Sequence, residues 1–261
     1  PVSAYNQKTR YCRQHIHKNE TIHIRSLGKL VKSIATNRSL MGIIAAALML
    51  LLSQLTMSGM SSYVYPNYYG SAAAQSLSSL VGMAGTLLIC APTAVKLSQK
   101  FGKKELATAG AIVGAVSYLL CFLLRPSNPF VFVAFAAVAT ISMGYFNTVV
   151  WAMITDVIDD TEVRTGVRED GTVYSVYSFA RKLGQAISSG LIGALLTMVG
   201  YSEATAFDPA VTGKIFNLAC LAPFAGFVAL ALILVFLYPL NKTRVEQNVA
   251  TLAARREGKE N

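Results

Sequence analysis

Residues 215–238 read IFNLACLAPFAGFVALALILVFLY, without one charged side chain. An α-helix rises about 1.5 Å per residue, so roughly 20 residues cross a hydrocarbon core of about 30 Å. A run of this length and polarity therefore reads as a membrane span. Working outward from it, stretches of similar length lie at 40–63, 77–95, 106–124, 130–154 and 173–200. The connections between them are short, so the helices must be neighbours. The expected architecture is all-α and polytopic: a six-helix transmembrane bundle over 37–240, a polar segment 1–36 before it and a tail 241–261 after it.

The composition agrees. The chain of 261 residues is 53% hydrophobic and only 14% charged, more apolar surface than a soluble domain of this size can use. Its net charge of +10 would suggest nucleic acid in a soluble protein. Here the positive charge is segregated between apolar blocks, so the fitting partner is an anionic bilayer surface and nucleic acid is excluded. Lys8, Arg10, Arg13, Lys18, Arg25, Lys29, Lys32 and Arg38 precede the first span. Lys96, Lys100, Lys103 and Lys104 follow the second, Arg164 and Arg168 follow the fourth, and five more lie in the tail. The opposite side has only Arg125 and Lys214. That asymmetry predicts both termini in the cytoplasm and a multi-pass location in the plasma (inner) membrane.

The chain opens on Pro1 and runs through about 36 polar residues before its first apolar block, which excludes a signal peptide and points to a start inside a longer protein. Leu27, Leu30, Val31 and Ile34 recur at helical spacing with lysines between them, describing either a short interfacial helix or a helix packed on a further part of the protein. His15, His17 and His23 fit no zinc spacing, and Cys12, Cys90, Cys121 and Cys220 lie too far apart in sequence for a recognisable disulfide or zinc framework, so no metal site is expected.

Polar groups inside apolar blocks carry more information. Gln54 in the first span needs partners in the bundle or in a wet cavity. Tyr63, Tyr65, Tyr68 and Tyr69 fit an interfacial aromatic belt or a cavity lining. In the fourth span Tyr145, Asn147, Thr148 and Trp151 form a polar, aromatic patch; such a patch suits a sugar, and it also suits helix interfaces that satisfy one another. The fifth block is rich in small residues, with Gly184 and Ser188, then Gly190 and Ala194, at the spacing that lets helices pack closely or slide. Arg181 and Lys182 interrupt it. They lie either deep in a span that starts near Val173 or at the end of a span that starts at Leu183, where they would snorkel.

The densest charge is in 156–171, DVIDDTEVRTGVREDG, with six acids and two arginines. Asp156, Asp159 and Glu162 recur at i, i+3 and i+6, one stripe if the fourth helix continues past the membrane face, and Arg164 and Arg168 could bridge to it. The order of these acids departs from a calcium loop. The alternatives are a solvated loop and a gate network.

This stretch, followed by YSVYSFARKLGQAISSGLIG at 174–193 and YPLNKTRVEQ at 238–247, resembles the glycoside–pentoside–hexuronide:cation symporters of the major facilitator superfamily, the group that contains melibiose permease. The resemblance runs over about 40–248. It implies the C-terminal half of a twelve-helix transporter, with 1–36 as part of the central cytoplasmic loop and a missing N-terminal six-helix half as partner. It implies no enzyme activity and no cofactor beyond a coupling cation, Na+ or H+, with a glycoside or oligosaccharide as solute. By the same resemblance Asp159, Glu162 and Arg168 match gate positions, with Asp156 and Arg164 beside them, and Asp160 stands where a Tyr is common. Lys182 matches an intramembrane lysine, Tyr177 and Ser178 the polar pair before it, and Trp151, with Asn147, lies close to an aromatic sugar contact. Residues 96–104 look like a degenerate superfamily loop, with its end kept in Phe101, Gly102, Lys103 and Lys104. The rival reading is a membrane-embedded structural or interaction subunit without transport.

Overall fold

The computed structural model describes residues 37–260. The amphipathic stretch at 27–34, the three histidines and Cys12 lie outside them. The described chain forms seven long helices and one 3-10 turn (Glu203–Thr205), without a strand: α1 (Arg38–Tyr68), α2 (Ala72–Phe101), α3 (Lys103–Leu124), α4 (Pro129–Thr165), α5 (Asp170–Met198), α6 (Pro209–Leu237) and α7 (Lys242–Glu260).

Local chemistry sets the boundaries. Asn37, Asn128 and Asp208 cap α1, α4 and α6 by accepting backbone hydrogen bonds, at 3.2 Å from Leu40, 2.9 Å from Phe130 and 2.8 Å from Ala210. Pro129 and Pro209 then begin their helices where a missing N–H costs nothing. Gly166, at φ 76°, ends α4 in the left-handed conformation that only glycine adopts freely. Single π turns at Val64–Tyr68, Thr86–Cys90 and Ile233–Leu237 lie within α1, α2 and α6, the second directly ahead of Pro92.

Five helices, α1 to α4 and α6, are long and apolar enough to cross a membrane. The sequence predicts six, and α5 is the exception: it is a long helix that contains Arg181, Lys182 and many glycines and serines. It nevertheless runs beside α1 along its length. Gly184 sits over Leu48 and Leu51, Ile192 fills the space at Gly59, and Tyr201 meets Tyr63 edge to face at 5.0 Å. On the other side α3 packs between α4 and α6, while α2 packs on α4. The α3–α4 approach depends on Gly110, where a Cβ would stand 2.6 Å from the Ser142 carbonyl oxygen.

Successive helices alternate in direction, which gives the bundle two unlike ends. One gathers Asn37, Lys103, Asp156, Asp160 and α7. The other is aromatic: Tyr65 and Tyr68 of α1 and Tyr69 directly after it cluster with Phe132 of α4 and Phe216 of α6. Tyr65 is fully buried there, so it belongs to a packed plug rather than to a lipid-facing belt. The 242–260 segment, expected as a tail, is a helix folded back on α4 with Asn248 and Leu252 buried.

Candidate functional site

Three features of the bundle bear on a functional site, and α4 contributes to each. The first is the charged end. Because α4 continues as helix to Thr165, its acids project from successive turns, as their spacing predicts. Arg168, in the loop before α5, donates to Asp159 at 2.8 Å, to Glu162 at 2.9 Å and to Asp170 at 3.0 Å. The hydrogen bonds it donates, first to Asp159 and then to Glu162, hold its guanidinium above the usual arginine range, so it stays charged at any working pH. Asp156 turns to α3 instead, where the Lys103 ammonium meets both its oxygens at 2.7 and 2.8 Å.

Asp160 has 1% of its surface exposed and is the hub of this end. It accepts from the Ser39 hydroxyl at 2.7 Å and from Asn248 at 3.2 Å, with Arg244 at 3.5 Å and Arg164 at 4.0 Å. One carboxylate thus ties the starts of α1 and α7 to the end of α4. Thr161 accepts from Asn37 at 2.8 Å, and Arg255 donates to the Val163 carbonyl at 3.0 Å, closing the same joint. Of the five residues expected as a gate, Asp159, Glu162 and Arg168 form one cluster, Asp156 pairs elsewhere, and Arg164 meets only Asp160 among the charged groups of the described residues.

The second feature lies deeper. Trp151 of α4 faces α5, with Tyr174 stacked at 6.4 Å and Tyr177 edge-on at 5.5 Å. The Arg181 guanidinium stands 5.9 Å from the Trp151 ring and 5.8 Å from the Tyr177 ring, and donates to the Tyr177 hydroxyl at 3.4 Å. Trp151 is five residues, roughly 7 Å, inward of Asp156, and Arg181 springs from one further turn down. Helix α5 starts at Asp170, which puts Lys182 about 18 Å along it. Lys182 and Ser178 are exposed and Asn147 is half-buried, and none of the three hydrogen-bonds within the described residues. The structure therefore joins Trp151 to Tyr177 and leaves Asn147, Ser178 and Lys182 near them without contact. Tyr174 and Arg181 were not among the expected site residues. The signal was present, since Tyr174, Tyr177 and Arg181 share one helical stripe.

The third feature is a cleft of about 210 Å³ between α1, α2 and α4, with Gln54, Ser58, Ser61, Gln75, Ser78 and Thr140 in its wall. Gln54 thus finds the polar cavity its position demands. The hydroxyls of Tyr65 and Tyr118, which also border the cleft, are buried without a hydrogen-bond partner among the described residues. Across α5, Gly190 and Gly193 have no neighbour where a Cβ would point, and Gln185, Ala186 and Ser189 are exposed with them. Among the described residues no group of acids, histidines or cysteines is arranged to hold a metal ion.

Comparison with known proteins agrees with this architecture. A family model described as MFS/sugar transport protein matches residues 2–242. The glucuronide carrier protein homolog of Escherichia coli (strain K12) is 31% identical over 89% of this chain and 50% of its own length. The uncharacterized symporter YjmB of Bacillus subtilis (strain 168) is 30% identical over 87% of this chain and 49% of its own. An Escherichia coli (strain K12) protein provisionally named a sulfoquinovose importer is 36% identical over 61% of this chain and 33% of its own. The chain thus spans between a third and a half of the length of these curated relatives, which are named as transporters and not as enzymes. On the strength of the family match across nearly its whole length, the chain belongs to the MFS/sugar transport proteins, the glycoside–cation symporter group of polytopic, all-α membrane transporters.

Proposed function

We propose that this chain is the C-terminal half of a cation-coupled symporter for a glycoside, and that its charged end faces the cytoplasm. The observation that carries the proposal is the uncovered mid-length surface of α4 and α5. Trp151 of α4 is 49% exposed and meets Tyr177 of α5, where one open stripe runs through Lys182, Gln185, Ala186, Ser189, Gly190 and Gly193 beside the exposed apolar Phe179, Leu183 and Ile187. A lipid-facing helix has no use for such a surface, whereas one wall of a shared solute passage requires it. Aromatic faces with hydroxyl and amide neighbours match a sugar ring, which is apolar on its faces and polar at its rim. A second six-helix unit would supply the opposite wall and the acids that bind the coupling cation.

In alternating access the two units rock about the site, and each must move as a body. The ties at Arg168, Asp160 and Lys103 make the charged end of this unit such a body, since they fasten α4 to α1, α3, α7 and the loop before α5. Their role in this reading is to keep the closing surface rigid. The test is uptake of a panel of labelled glycosides by the full-length protein in proteoliposomes under an imposed Na+ or pH gradient. Gradient-driven accumulation of at least one glycoside is expected; equilibration without accumulation would remove the coupling, and no uptake at all would remove the transport reading.

A further inference from the structure

The outer side of the α3–α6 pair carries a groove of about 440 Å³ whose lining is wholly apolar. Ile112 and Val116 of α3 and Phe224, Val228, Val235 and Phe236 of α6 form its walls. It follows α6 from Phe224 to Phe236, roughly 18 Å at 1.5 Å per residue. A hydrocarbon core of about 30 Å gives each leaflet about 15 Å, so the groove has the depth of one leaflet. Helix α5 packs on α1, and α3 and α6 pack on each other beyond it, so the groove lies across the bundle from the open stripe of α5. A second unit that closes over α5 leaves this side to lipid.

At the charged end of the bundle the groove stops at two cations. Lys103 turns to Asp156, but Lys104, the next residue, turns to α6 and donates to the Val235 carbonyl at 3.3 Å and to the Tyr238 carbonyl at 2.7 Å. The Arg38 guanidinium donates to the Phe236 carbonyl at 2.6 Å. The residues that wall the end of the groove are thus the ones that hold the two cations in place. Arg38 is near enough to Lys104 for their charges to repel. The adjacent acid, Glu105, turns its carboxylate back against Gly102 and forms no ion pair with either cation among the described residues.

Capping the last carbonyls of α6 uses only part of the donor set, since an ammonium has three N–H groups and a guanidinium five. The rest stand at the membrane face, at the mouth of an apolar groove one leaflet deep. The molecule that satisfies both features has an anionic head and a long hydrocarbon chain. We propose that this is a site for an anionic phospholipid of the leaflet at the charged end, its phosphate held by Arg38 and Lys104 and one acyl chain lying between α3 and α6. Bound there, the phosphate offsets the repulsion between the two cations and ties the starts of α1 and α3 to the end of α6. A zwitterionic lipid fits less well, because its ammonium would meet the same two cations and no acid. The site needs only that the chain spans a membrane, and it stands whatever solute is carried.

Native mass spectrometry of the full-length protein, delipidated and then titrated with dioleoyl phosphatidylglycerol or dioleoyl phosphatidylethanolamine, tests this. A cation near an anionic headgroup contributes about fivefold in affinity, so the tightest phosphatidylglycerol should exceed phosphatidylethanolamine by about twentyfold. Arg38→Gln combined with Lys104→Gln should remove that preference, because glutamine keeps a donor for the α6 carbonyls and loses the charge. Lys214→Gln, near the start of α6 at the other end, should keep it. Ala231→Phe fills the groove, leaves both cations in place, and should weaken the same lipid by about tenfold, since its chain no longer packs between the helices. Excess inorganic phosphate should not displace the lipid. Sites on the second half are common to every protein compared and cancel. Equal wild-type affinity for the two lipids overturns the proposal without any variant. So does a preference that survives the double substitution, or one lost equally in Lys214→Gln, which would make it a general effect of charge. Displacement by phosphate, or indifference to Ala231→Phe, would mean a headgroup contact without a seated chain and overturns it too.

Discussion

At the residue scale the two arginine–acid groups of the charged end differ in what they hold. Arg168 sits in a loop and bonds to carboxylates that are themselves partly open to water, and exposed pairs of this kind contribute at most about 1 kcal/mol to stability. Arg168→Ala should therefore unfold in detergent within a few degrees of the parent. Uptake should still fall by about tenfold, because Asp159 and Glu162 lose the group that fastens the loop before α5. Unchanged proteoliposome uptake would defeat that role. Asp160 is the opposite case. Replacing it by alanine strands the Ser39 hydroxyl and the Asn248 amide, each buried, and hydrogen bonds to a charged group cost about 1.5–3 kcal/mol apiece when broken. Asp160→Ala should thus lower the thermal midpoint well beyond Arg168→Ala, a ranking that one unfolding series decides. The stripe formed by Asp156, Asp159 and Glu162 was legible in the sequence because helical periodicity alone creates it. Lys103 as the partner of Asp156 was not, since the two are 53 residues apart and meet only through the packing of α3 on α4.

At the element scale, hydropathy reports which segments are apolar and says little about which faces they share. It located α1 to α4 and α6 within a few residues at their apolar cores, and their ends lay farther out because polar helical turns follow, as at the end of α4. Helix α7 escaped for the same reason: its composition is polar, and it is held by Asn248, Leu252 and Arg255 against a surface that exists only after the bundle has formed. The small residues show where spacing misleads. Gly110 with Gly114, like Gly190 with Ala194, is a small-residue pair four residues apart, yet a Cβ at Gly110 collides with the Ser142 backbone while one at Gly190 meets nothing within 4 Å. Gly110→Ala should destabilise the bundle by about 1–3 kcal/mol, since neither backbone can yield without opening the α3–α4 contact. Gly190→Ala should leave the thermal midpoint of the chain unchanged. Equal destabilisation by the two would mean that α5 is packed on that face after all.

At the scale of the whole molecule the open face of α5 and the two unlike ends make separable claims about a membrane and about a second unit. The Lys242 ammonium donates to the Lys100 carbonyl at 3.2 Å, so the loop after α2 and the start of α7 share one end of the bundle, while Arg125 and its partner Asn217 lie at the other. An exposed cysteine placed at Gln99 and another at Glu246 should react with an impermeant maleimide from the same side in oriented vesicles, and one at Ser127 from the opposite side. If the proposed sidedness holds, the first two label from the cytoplasm, because basic connections stay there. The second claim concerns cover. A cysteine at Gly193 has open space before it in this chain. Expressed alone, the chain should expose it to a polar maleimide; within the full-length protein the rate should drop by about tenfold whenever the second half closes over α5, and recover in part when solute or cation shifts the two halves apart. Equal labelling in both contexts would place that face against lipid and leave α5 with no passage to line.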